Sequence, residues 1–477
     1  MSRINTNVSS LTAQLGLARS QQTLSNTLQR LSTGLRINSG ADDPAGLIAS
    51  ESLKSEIAGL NSAVSNSQQA NNVISTAEGA LNEISSLLIN MKQLTVQAAN
   101  SGAMSPAEIA ANQLQLDSSV ESITRIANST TFAGLQLING NLDYLTSGVN
   151  STQISSLGIH QANFGTQPTM PVKINVITSA QTAGLQFKSS AITSSVTLQI
   201  TGNEGVQTLS FTSGTSVSAI AFAINSLNDS TGVTASMNTP GNVTSGITFH
   251  SSGYGSKNFV SVVALKGTFG TVDASGAQIE RAVGRDAVAT VNGTQVVGDG
   301  LNLSVNTGAL DMDMTLSQKF GAGNTAFTIT GGGAMFQLGA SVSSNEQVSI
   351  GIQSVAASHL GDSSLGFLSD TITGGASSLV GGKAATASQI IDEAITQISV
   401  MAGRLGAFQK NTLETNMNSL NVAIQNVTSS ESSIEDANFA QETANMTRAQ
   451  ILVSAGTSVL ATANSTPQSV LSLLQGH

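Results

Sequence analysis

Apolar residues recur every three or four positions along the C-terminal stretch, which has no charged side chain from Ala449 to Gly476. This spacing is the heptad seam of a helix, roughly 40 Å long at about 1.5 Å per residue. Such a thin helix cannot bury its own apolar face. A membrane span is not expected, because hydroxyl and amide side chains lie between the apolar residues and a proline locally interrupts the hydrogen-bond ladder. The pattern predicts a protein partner for the seam Met446, Ala449, Val453, Gly456, Leu460, Ala463, Pro467, Val470 and Leu474.

The N-terminal segment has a second seam, interrupted by a slip of register between Leu15 and Leu17. This segment also lacks a core of its own, so we expect it to pair antiparallel with the C-terminal seam. The apolar side chains should supply most of the stability of the pair. The residues of this second seam are Ile4, Val8, Leu11 and Leu15 before the slip, and Leu17, Leu24, Leu28, Leu31 and Leu35 after it.

The charges at the two ends of the chain are consistent with this pairing. Residues 1–41 contain arginines and no acidic residue, whereas the start of the C-terminal segment is acidic. Exposed ion pairs stabilise by about 0 to 1 kcal/mol each, so they should set the register more than the strength. Antiparallel pairing is expected to bring Arg30 and Arg36 towards Glu435, Asp436 and Glu442.

A helical bundle is predicted next to the terminal seams. Asp43 before Pro44 can cap a helix of more than fifty residues, and Ser105, Pro106 and Glu108 form a capping box for the next helix. A hairpin is expected after that helix. Helical spacing returns after residue 382 in two stripes that are one step out of phase. The packing residues are Leu60, Ile74, Leu81, Ile84, Leu88, Ile391, Ile395, Ile398, Leu413, Leu420 and Ile424.

Between about residues 145 and 380 the chain is rich in Gly, Ser and Thr, and its helical periodicity weakens. The stretches VTLQITG and QTLSFTSG alternate like half-buried strands, and helix spacing follows from Val217. Asn292 and Gly293 stand between two short strand-like runs, which predicts a two-residue hairpin. The pairing order of the strands cannot be deduced from one sequence. The middle is therefore predicted to be a β-rich α+β region.

Composition narrows the class of function. A net charge of −10 disfavours nucleic acid as a partner, since its recognition needs clustered Lys and Arg. Charged residues are 10% of the chain, well below the roughly 25% of typical globular proteins. The absence of cysteine excludes disulfides and thiol chemistry. The N-terminus lacks the apolar run of a secretory signal, so export would use another route, and no membrane insertion is expected.

No catalytic or metal-binding constellation emerges, so we expect neither an enzyme nor a cofactor. The histidines are His160, His250, His359 and His477, which excludes an HExxH zinc site. There is no P-loop and no GxGxxG after a strand. The carboxylates of Asp311 and Asp313 could contact calcium, but they lack the rest of a binding loop. We expect them to be solvated strand residues.

Both ends of the chain resemble bacterial flagellin. The N-terminal motifs are SRINTNVSSL, LQRLSTGLRINSGADDPAGL, ISTAEGALNEI and TVQAANSG, and the C-terminal ones are RLGAFQKNTLE, SIEDANFAQETANMTRAQIL and STPQSVLSLL. The resemblance covers about 150 residues at the start and about 90 at the end of the chain. A weaker resemblance, from VTLQITG to GVTAS, is to a small repeat of flagellins and hook-associated proteins.

The resemblance implies a multidomain fold, in which both termini form an α-helical coiled coil and bundle around a β-rich central insertion. It implies a terminal coiled-coil filament core (1–43 with 437–477) and a helical bundle with a β-hairpin (44–175 with 380–436). The third part is a surface-exposed variable region (176–379), which could comprise two subdomains, about 176–280 and 281–379.

Self-assembly is the mechanism that the two seams predict. One screw operation repeated without closure makes a filament. Before the subunits assemble, the seams have little to pack on, so we expect them to be largely disordered in the free monomer. The residues expected in the filament core are Ile4, Val8, Leu11, Leu15, Leu24, Leu28, Leu31, Leu35, Met446, Val453, Leu460, Val470 and Leu474.

Flagellin resemblance further implies a homo-oligomeric, extracellular filament that drives swimming, exported through the flagellar type III apparatus. The implied partners are an export chaperone at the C-terminal segment and the hook-associated and cap proteins. Flagellins recognised by the vertebrate innate receptor have an arginine near the position of Asn90 and a glutamate at that of Gln115. Because this sequence has neither, we expect weak receptor activation.

Two alternatives remain at the level of sequence. A hook–filament junction protein would share the terminal seams but join or cap instead of polymerising. A secreted adhesin would use the middle region and keep its termini merely structural. Two interpretations of the middle region are also open. It could be a solvent-facing β domain that only decorates the assembled particle. Alternatively, its abundant Ser and Thr suggest an adhesive or glycan-bearing surface.

Overall fold

The computed structural model describes residues 6–239 and 245–475. Long helices lie at both ends of the chain and strands fill the middle, as the sequence predicts. Ile4 falls outside the described residues. The helices are α1 (Val8–Thr33), α2 (Pro44–Ala99), α3 (Pro106–Ser129), α4 (Val217–Asn225), α5 (Asn228–Thr231), α6 (Ala384–Phe408), α7 (Thr415–Glu435) and α8 (Phe439–Gln475).

Two compact units divide the chain. The first contains the residues up to 68, the short segment 338–342 and the residues from 412 onwards. The second contains 69–337 and 343–411. Helix α2 contributes its first part to one unit and its remainder to the other.

The first unit is built from α1, the start of α2, α7 and α8. Leu60 and Ala63 on α2 form a small apolar core with Leu420 on α7, and Ile424 packs against it. Asn416 donates a hydrogen bond from Nδ2 to the carbonyl oxygen of Leu338, at 2.8 Å. The segment 338–342 is thereby fastened to α7.

The helices of the second unit pack through fully buried side chains. On α2 these are Ile74, Leu81, Ile84 and Leu88. On α6 Ile391 and Ile398 are buried and Ile395 is half-buried. A polar contact joins the same two helices, since Lys92 Nζ donates to Ser388 Oγ at 2.6 Å and also pairs with Asp392.

Local capping signals produce the predicted helix starts. Asp43 Oδ1 accepts a hydrogen bond from the backbone N–H of Gly46 at 2.9 Å, at the start of α2. Ser105 and Glu108 form the reciprocal capping box of α3. These short-range contacts depend on residues at most three positions apart, which explains why the sequence reveals them.

A π-helical turn, Gln409–Glu414, connects α6 with α7 and accounts for the phase step in the sequence. A π turn accommodates one extra residue within a helix. Leu405 before it and Leu413 within it are both buried. The extra residue explains why the apolar stripe of α7 is out of phase with that of α6.

Among the described residues, the β region has two apolar cores, both in the second unit. The strands are β1 (Thr131–Phe132), β2 (Leu135–Gln136), β3 (Tyr144–Ser147), β4 (Ile154–Ala162), β5 (Met170–Thr178), β6 (Thr182–Phe187), β7 (Val196–Thr201), β8 (Val206–Phe211), β9 (Val233–Met237), β10 (Ile247–Tyr254), β11 (Phe259–Lys266), β12 (Arg281–Val283), β13 (Val288–Val291), β14 (Thr294–Val297), β15 (Asn302–Asn306), β16 (Leu310–Leu316), β17 (Gly323–Gly332), β18 (Ala334–Gln337), β19 (Gln347–Ile350), β20 (Gly361–Asp362) and β21 (Gly366–Phe367).

One core lies between a five-stranded sheet, in the order β14-β13-β5-β17-β3, and a three-stranded sheet, β15-β16-β4. The other lies among a four-stranded sheet, β12-β11-β7-β8, a three-stranded sheet, β6-β10-β9, and helix α4. The strands in the described part of the chain pair antiparallel, but many partners are far apart in sequence. Such long-range order could not be deduced from local patterns.

The predicted hairpins are confirmed. Ala133 and Gly134 have φ of 50° and 85° between β1 and β2, and Asn292 and Gly293 have 47° and 89° between β13 and β14. Two successive positive φ values are the signature of a type I′ turn, which suits a two-residue hairpin.

Asp311 and Asp313 lie on β16, and the side chain of Asp313 is 48% exposed, but sequence analysis did not foresee the contacts that Asp313 makes. Its carboxylate lies in contact with His160 and Arg404. Strand alternation does place Asp311 and Asp313 opposite the buried side chains of β16, but it cannot show what packs over that face. No group of residues suited to a metal ion is found in the described part of the chain.

Replacing Ile84 by alanine tests the bundle core. Ile84 is fully buried, so its truncation leaves a cavity and should lower the free energy of unfolding by about 2–5 kcal/mol. Ile89→Ala on the same helix is the matched control, because that side chain is 49% exposed and its loss should change stability by about 0.5 kcal/mol or less. Urea unfolding followed by circular dichroism measures both. Equal losses would contradict the assignment.

Candidate assembly surface

Helices α1 and α8 pack along an inner seam with heptad spacing. Gly456 allows a close approach, since a Cβ built on it would lie 3.4 Å from Leu17 Cδ1. Small residues on both helices therefore keep the pair tight along much of its length. The buried or half-buried positions are Ser10, Ala13, Leu17, Ser20, Leu24, Thr27 and Leu31 on α1, and Glu442, Met446, Ala449, Val453, Gly456, Leu460 and Ala463 on α8.

Backbone and charge contacts fix the antiparallel register at one end of the pair. Leu35 pairs with Asp436 as an antiparallel bridge, and Ala437 donates its N–H to the Gly34 carbonyl at 2.8 Å. Arg30 lies 3.5 Å from the carboxylate of Glu442. The predicted antiparallel pairing, and the predicted approach of Arg30 to Glu442, are confirmed.

Arg36 does not pair through its side chain with the carboxylates expected for it. Its Nε donates to the carbonyl oxygen of Ile434 at 3.1 Å. The Glu435 carboxylate is occupied by Lys54 of α2, at 2.6 Å, and the hydroxyl of Ser432 contacts Asp436. The Lys54 ammonium holds the pKa of Glu435 below its ordinary value, and Glu435 raises the pKa of Lys54. A third helix therefore contributes to the register.

Asn7 joins the other end of the pair. Its Oδ1 accepts a hydrogen bond from the Ser10 N–H at 3.0 Å and caps α1, while its Nδ2 donates to the carbonyl oxygen of Ala463 at 2.8 Å. That carbonyl lacks its helical partner because Pro467, four residues later, has no N–H. One asparagine thus satisfies a helix start and an orphan acceptor. Nearby, Ser10 Oγ donates to Asn464 Oδ1 at 2.7 Å.

The first part of the predicted N-terminal seam does not face α8. Val8, Leu11 and Leu15 are 60%, 51% and 63% exposed. At about 100° per residue they fall on the side of α1 away from the inner seam, because the register slip after Leu15 moves the stripe to another face. The expectation that these residues pair with the C-terminal seam of the same chain is wrong. We call Val8, Leu11 and Leu15 the outer stripe of α1.

Helix α8 has an outer stripe of its own, formed by Leu452, Ala455 and Val459. Leu452 is 50% exposed and Val459 57% exposed, and Ala455 between them is exposed too. Sequence analysis missed this stripe, although a spacing of three and four residues is visible once the inner seam is set aside. Each terminal helix therefore has one apolar face covered and another open.

The remaining predicted core residues lie as follows. Leu24, Leu31, Leu35, Met446, Val453 and Leu460 are half-buried, and Leu28 is 47% exposed. Val470 and Leu474 fall within the span of α8, but their side chains lie outside the described part of the chain. Among the described helices, none has the length and apolar character needed to cross a bilayer.

Three family models match the sequence. They are the bacterial flagellin N-terminal helical region over residues 4–143, the bacterial flagellin C-terminal helical region over 388–474, and the flagellin hook IN motif over 197–253. The two terminal matches contain both helices of the pair, and the third lies in the region of α4 and its sheets.

Full-length relatives agree with these matches. Flagellin from Salmonella rubislaw is 30% identical over 498 residues, and flagellin from Escherichia coli K12 is 31% identical over 517 residues, with 99% of each chain covered in both comparisons. Among solved structures, FlgL from Xanthomonas campestris covers 76% of this chain and 99% of its own, at 12% identity and a TM-score of 0.26. A TM-score this low does not establish a shared fold, so the sequence matches carry the comparison.

Asn7→Asp tests the double role of Asn7. Aspartate keeps the acceptor that caps α1 but cannot donate to the Ala463 carbonyl, so we expect the pair to lose about 1–2 kcal/mol. Adding Pro467→Ala should restore most of this loss, because alanine returns the missing N–H to the helix. Hydrogen exchange of α1 and α8 measures the effect in both variants. Additive effects of the two substitutions would contradict the proposed link.

Proposed function

The chain belongs to the bacterial flagellin family, and on that premise we propose that it polymerises through the outer stripes of α1 and α8. It is a structural subunit of the bacterial flagellar filament, the extracellular organelle of swimming motility. Flagellins are structural proteins, and we extend that to this chain by proposing that it has no enzymatic role.

The observation that carries the proposal is the open apolar surface on the terminal pair. Val8, Leu11 and Leu15 form a continuous stripe that the same chain leaves exposed, and α8 adds Leu452 and Val459. Complete burial of a leucine or valine side chain stabilises by about 1.5–3 kcal/mol, so the remaining exposed half is worth roughly 1 kcal/mol for each residue. A neighbouring subunit that covers these stripes would recover this free energy.

Covering both stripes requires neighbours on more than one side of the pair. A contact that joins different surfaces of two identical subunits is heterologous, and its repetition generates an open helical array when the rotation does not close. This is the geometry of a filament. The inner seam would then hold each subunit together, while the outer stripes join one subunit to the next.

The domain organisation expected from the sequence is part of this proposal. The terminal pair would form the filament core, α2, α3, α6 and α7 the surrounding bundle, and the β region the outer surface. Strand β5, Met170–Thr178, crosses the expected limit at residue 175, so we place that limit before the sheet to which β5 belongs. The buried bundle residues Ile74, Ile84, Leu88 and Ile391 support the middle layer.

Family membership also supports the finer partners. We propose an export chaperone at the C-terminal segment, export by the flagellar type III route, and contacts with hook-associated and cap proteins at the filament ends. The exposed Ser and Thr hydroxyls of the β region are proposed acceptors for glycans. Mass mapping of central peptides from native filaments tests this last point.

Polymerisation of a Leu11→Gln, Leu15→Gln variant tests the outer stripe of α1. Glutamine is a good helix former and both positions face solvent in the single chain, so the helicity of the monomer should not change. Loss of roughly 1 kcal/mol at each site should raise the critical concentration for seeded growth at least about tenfold. Electron microscopy and sedimentation measure this growth.

The matched control is Leu145→Gln, which changes an equally exposed leucine in the β region. It should polymerise at the wild-type critical concentration. Wild-type growth of the α1 variant would exclude its outer stripe as an interface. Reduced growth of the control as well would show that the substitutions act through general surface polarity.

A further inference from the structure

Three side chains from three separate elements meet in the second unit. His160 belongs to β4, Asp313 to the neighbouring strand β16, and Arg404 to helix α6, one turn before the π-helical segment. His160 is 6% exposed. Its Nε2 lies 2.8 Å from Asp313 Oδ2, and Arg404 Nη2 lies 2.8 Å from the same oxygen. Arg404 Nη1 also contacts His160 Nδ1, which closes a ring of three contacts.

The donors and acceptors of this ring determine the state of the imidazole. A guanidinium has only N–H donors, so His160 Nδ1 must offer a lone pair to Arg404. A carboxylate only accepts, so His160 Nε2 must carry the proton that is donated to Asp313. The ring of contacts therefore requires a neutral imidazole with its proton on Nε2.

Protonation of His160 would break one side of the ring. A proton on Nδ1 removes the acceptor for Arg404 Nη1 and places two donors, both cationic, against each other. Arg404 would have to withdraw, and only its contact with Asp313 could then be kept. Because Arg404 is on α6 and the other two groups are on the sheet, this loosens the link between the helix and the sheet.

The remaining charges near the ring are acidic. The carboxylate of Asp311 on β16 interacts electrostatically with the guanidinium of Arg404. The carboxylate of Asp143, just before β3, interacts electrostatically with His160 and His359. Burial disfavours the charged form of both groups, so it raises the pKa of Asp143 and lowers the pKa of Arg404. Ser304 on β15 adds a hydroxyl that hydrogen-bonds to Asp313. Arg404 is thus the cation that faces His160, and its position decides whether Nδ1 can accept a proton.

We propose that His160, Asp313 and Arg404 form an acid-released latch that fastens strands β4 and β16 to helix α6. The latch is closed while His160 is neutral, and it opens when that imidazole takes up a proton. Its opening would free this face of the β region while leaving the terminal helix pair unaltered. The proposal does not depend on how the subunits polymerise.

Asp313 is not the group that responds to mild acid. Its hydrogen bond with His160 is the largest cause that lowers its pKa, to about 2. A carboxyl with a depressed folded-state pKa contributes stability above its unfolded pKa of about 4, and loses that contribution only as the pH falls towards 2. Asp313 therefore does not account for a change between about pH 7.5 and about pH 5.5, and the histidine variants decide whether His160 or another group, such as Asp143, causes it.

Hydrogen exchange of the full-length chain, measured at about pH 7.5 and about pH 5.5, tests the latch. After correction for the intrinsic exchange rate, peptides covering 154–162 and 310–316 should exchange at least about fivefold faster at the lower pH. His160→Gln should abolish this difference, because its Nε2 can still donate to Asp313 and its Oε1 can still accept from Arg404, yet it does not titrate.

Two further variants complete the test. His359→Gln is the matched control, since it removes an exposed histidine outside the ring, and it should keep the wild-type pH difference. Arg404→Met should give fast exchange at both pH values, because the latch is then absent; this outcome supports the proposal even if His160→Gln does not fold. A wild-type chain with equal corrected exchange at both pH values would overturn it, and so would a full pH difference in His160→Gln.

Discussion

A helix with apolar side chains on two faces cannot be satisfied by one partner helix, and this constraint dominates the terminal part of the molecule. Antiparallel pairing of α1 and α8 covers the inner seam but leaves Val8, Leu11 and Leu15 open. The covered face fixes the register of the helix pair within each subunit. The open face exposes apolar surface that a neighbouring subunit could bury. In the proposed filament, the inner seam would hold each chain together and the outer stripes of the same two helices would join it to other chains.

Much of this arrangement could be predicted from sequence because its signals are local. Capping by Asp43 and Ser105, the Asn292-Gly293 hairpin, and the antiparallel register near Arg30 all follow from residue types at short spacing or from charge. The two phase slips were also visible in the sequence, but their structural consequences could not be predicted from it. The slip after Leu15 exchanges one face of α1 for another, whereas the later one is absorbed by a π-helical turn.

Contacts that depend on the tertiary fold could not be predicted from the sequence. Pro467 signals an orphan carbonyl at Ala463, but nothing local identifies Asn7 as its donor. Likewise, the sheet order brings His160 next to Asp313, and the packing of α6 brings Arg404 to both, so the strand pattern alone could not show these contacts. Lys54 was missed for the same reason, since its pairing with Glu435 required the position of a third helix.

Asn7 and Ala463 are separated by 456 residues, although they are hydrogen-bonded neighbours in the terminal pair. When the chain is synthesised from its N-terminus, the inner face of α1 cannot pair with α8 until almost the whole polypeptide has been made. The closing of so long a loop is late and slow compared with the local contacts of the bundle and the sheets. A chain cut short anywhere before α8 therefore keeps the inner face of α1 without its partner helix.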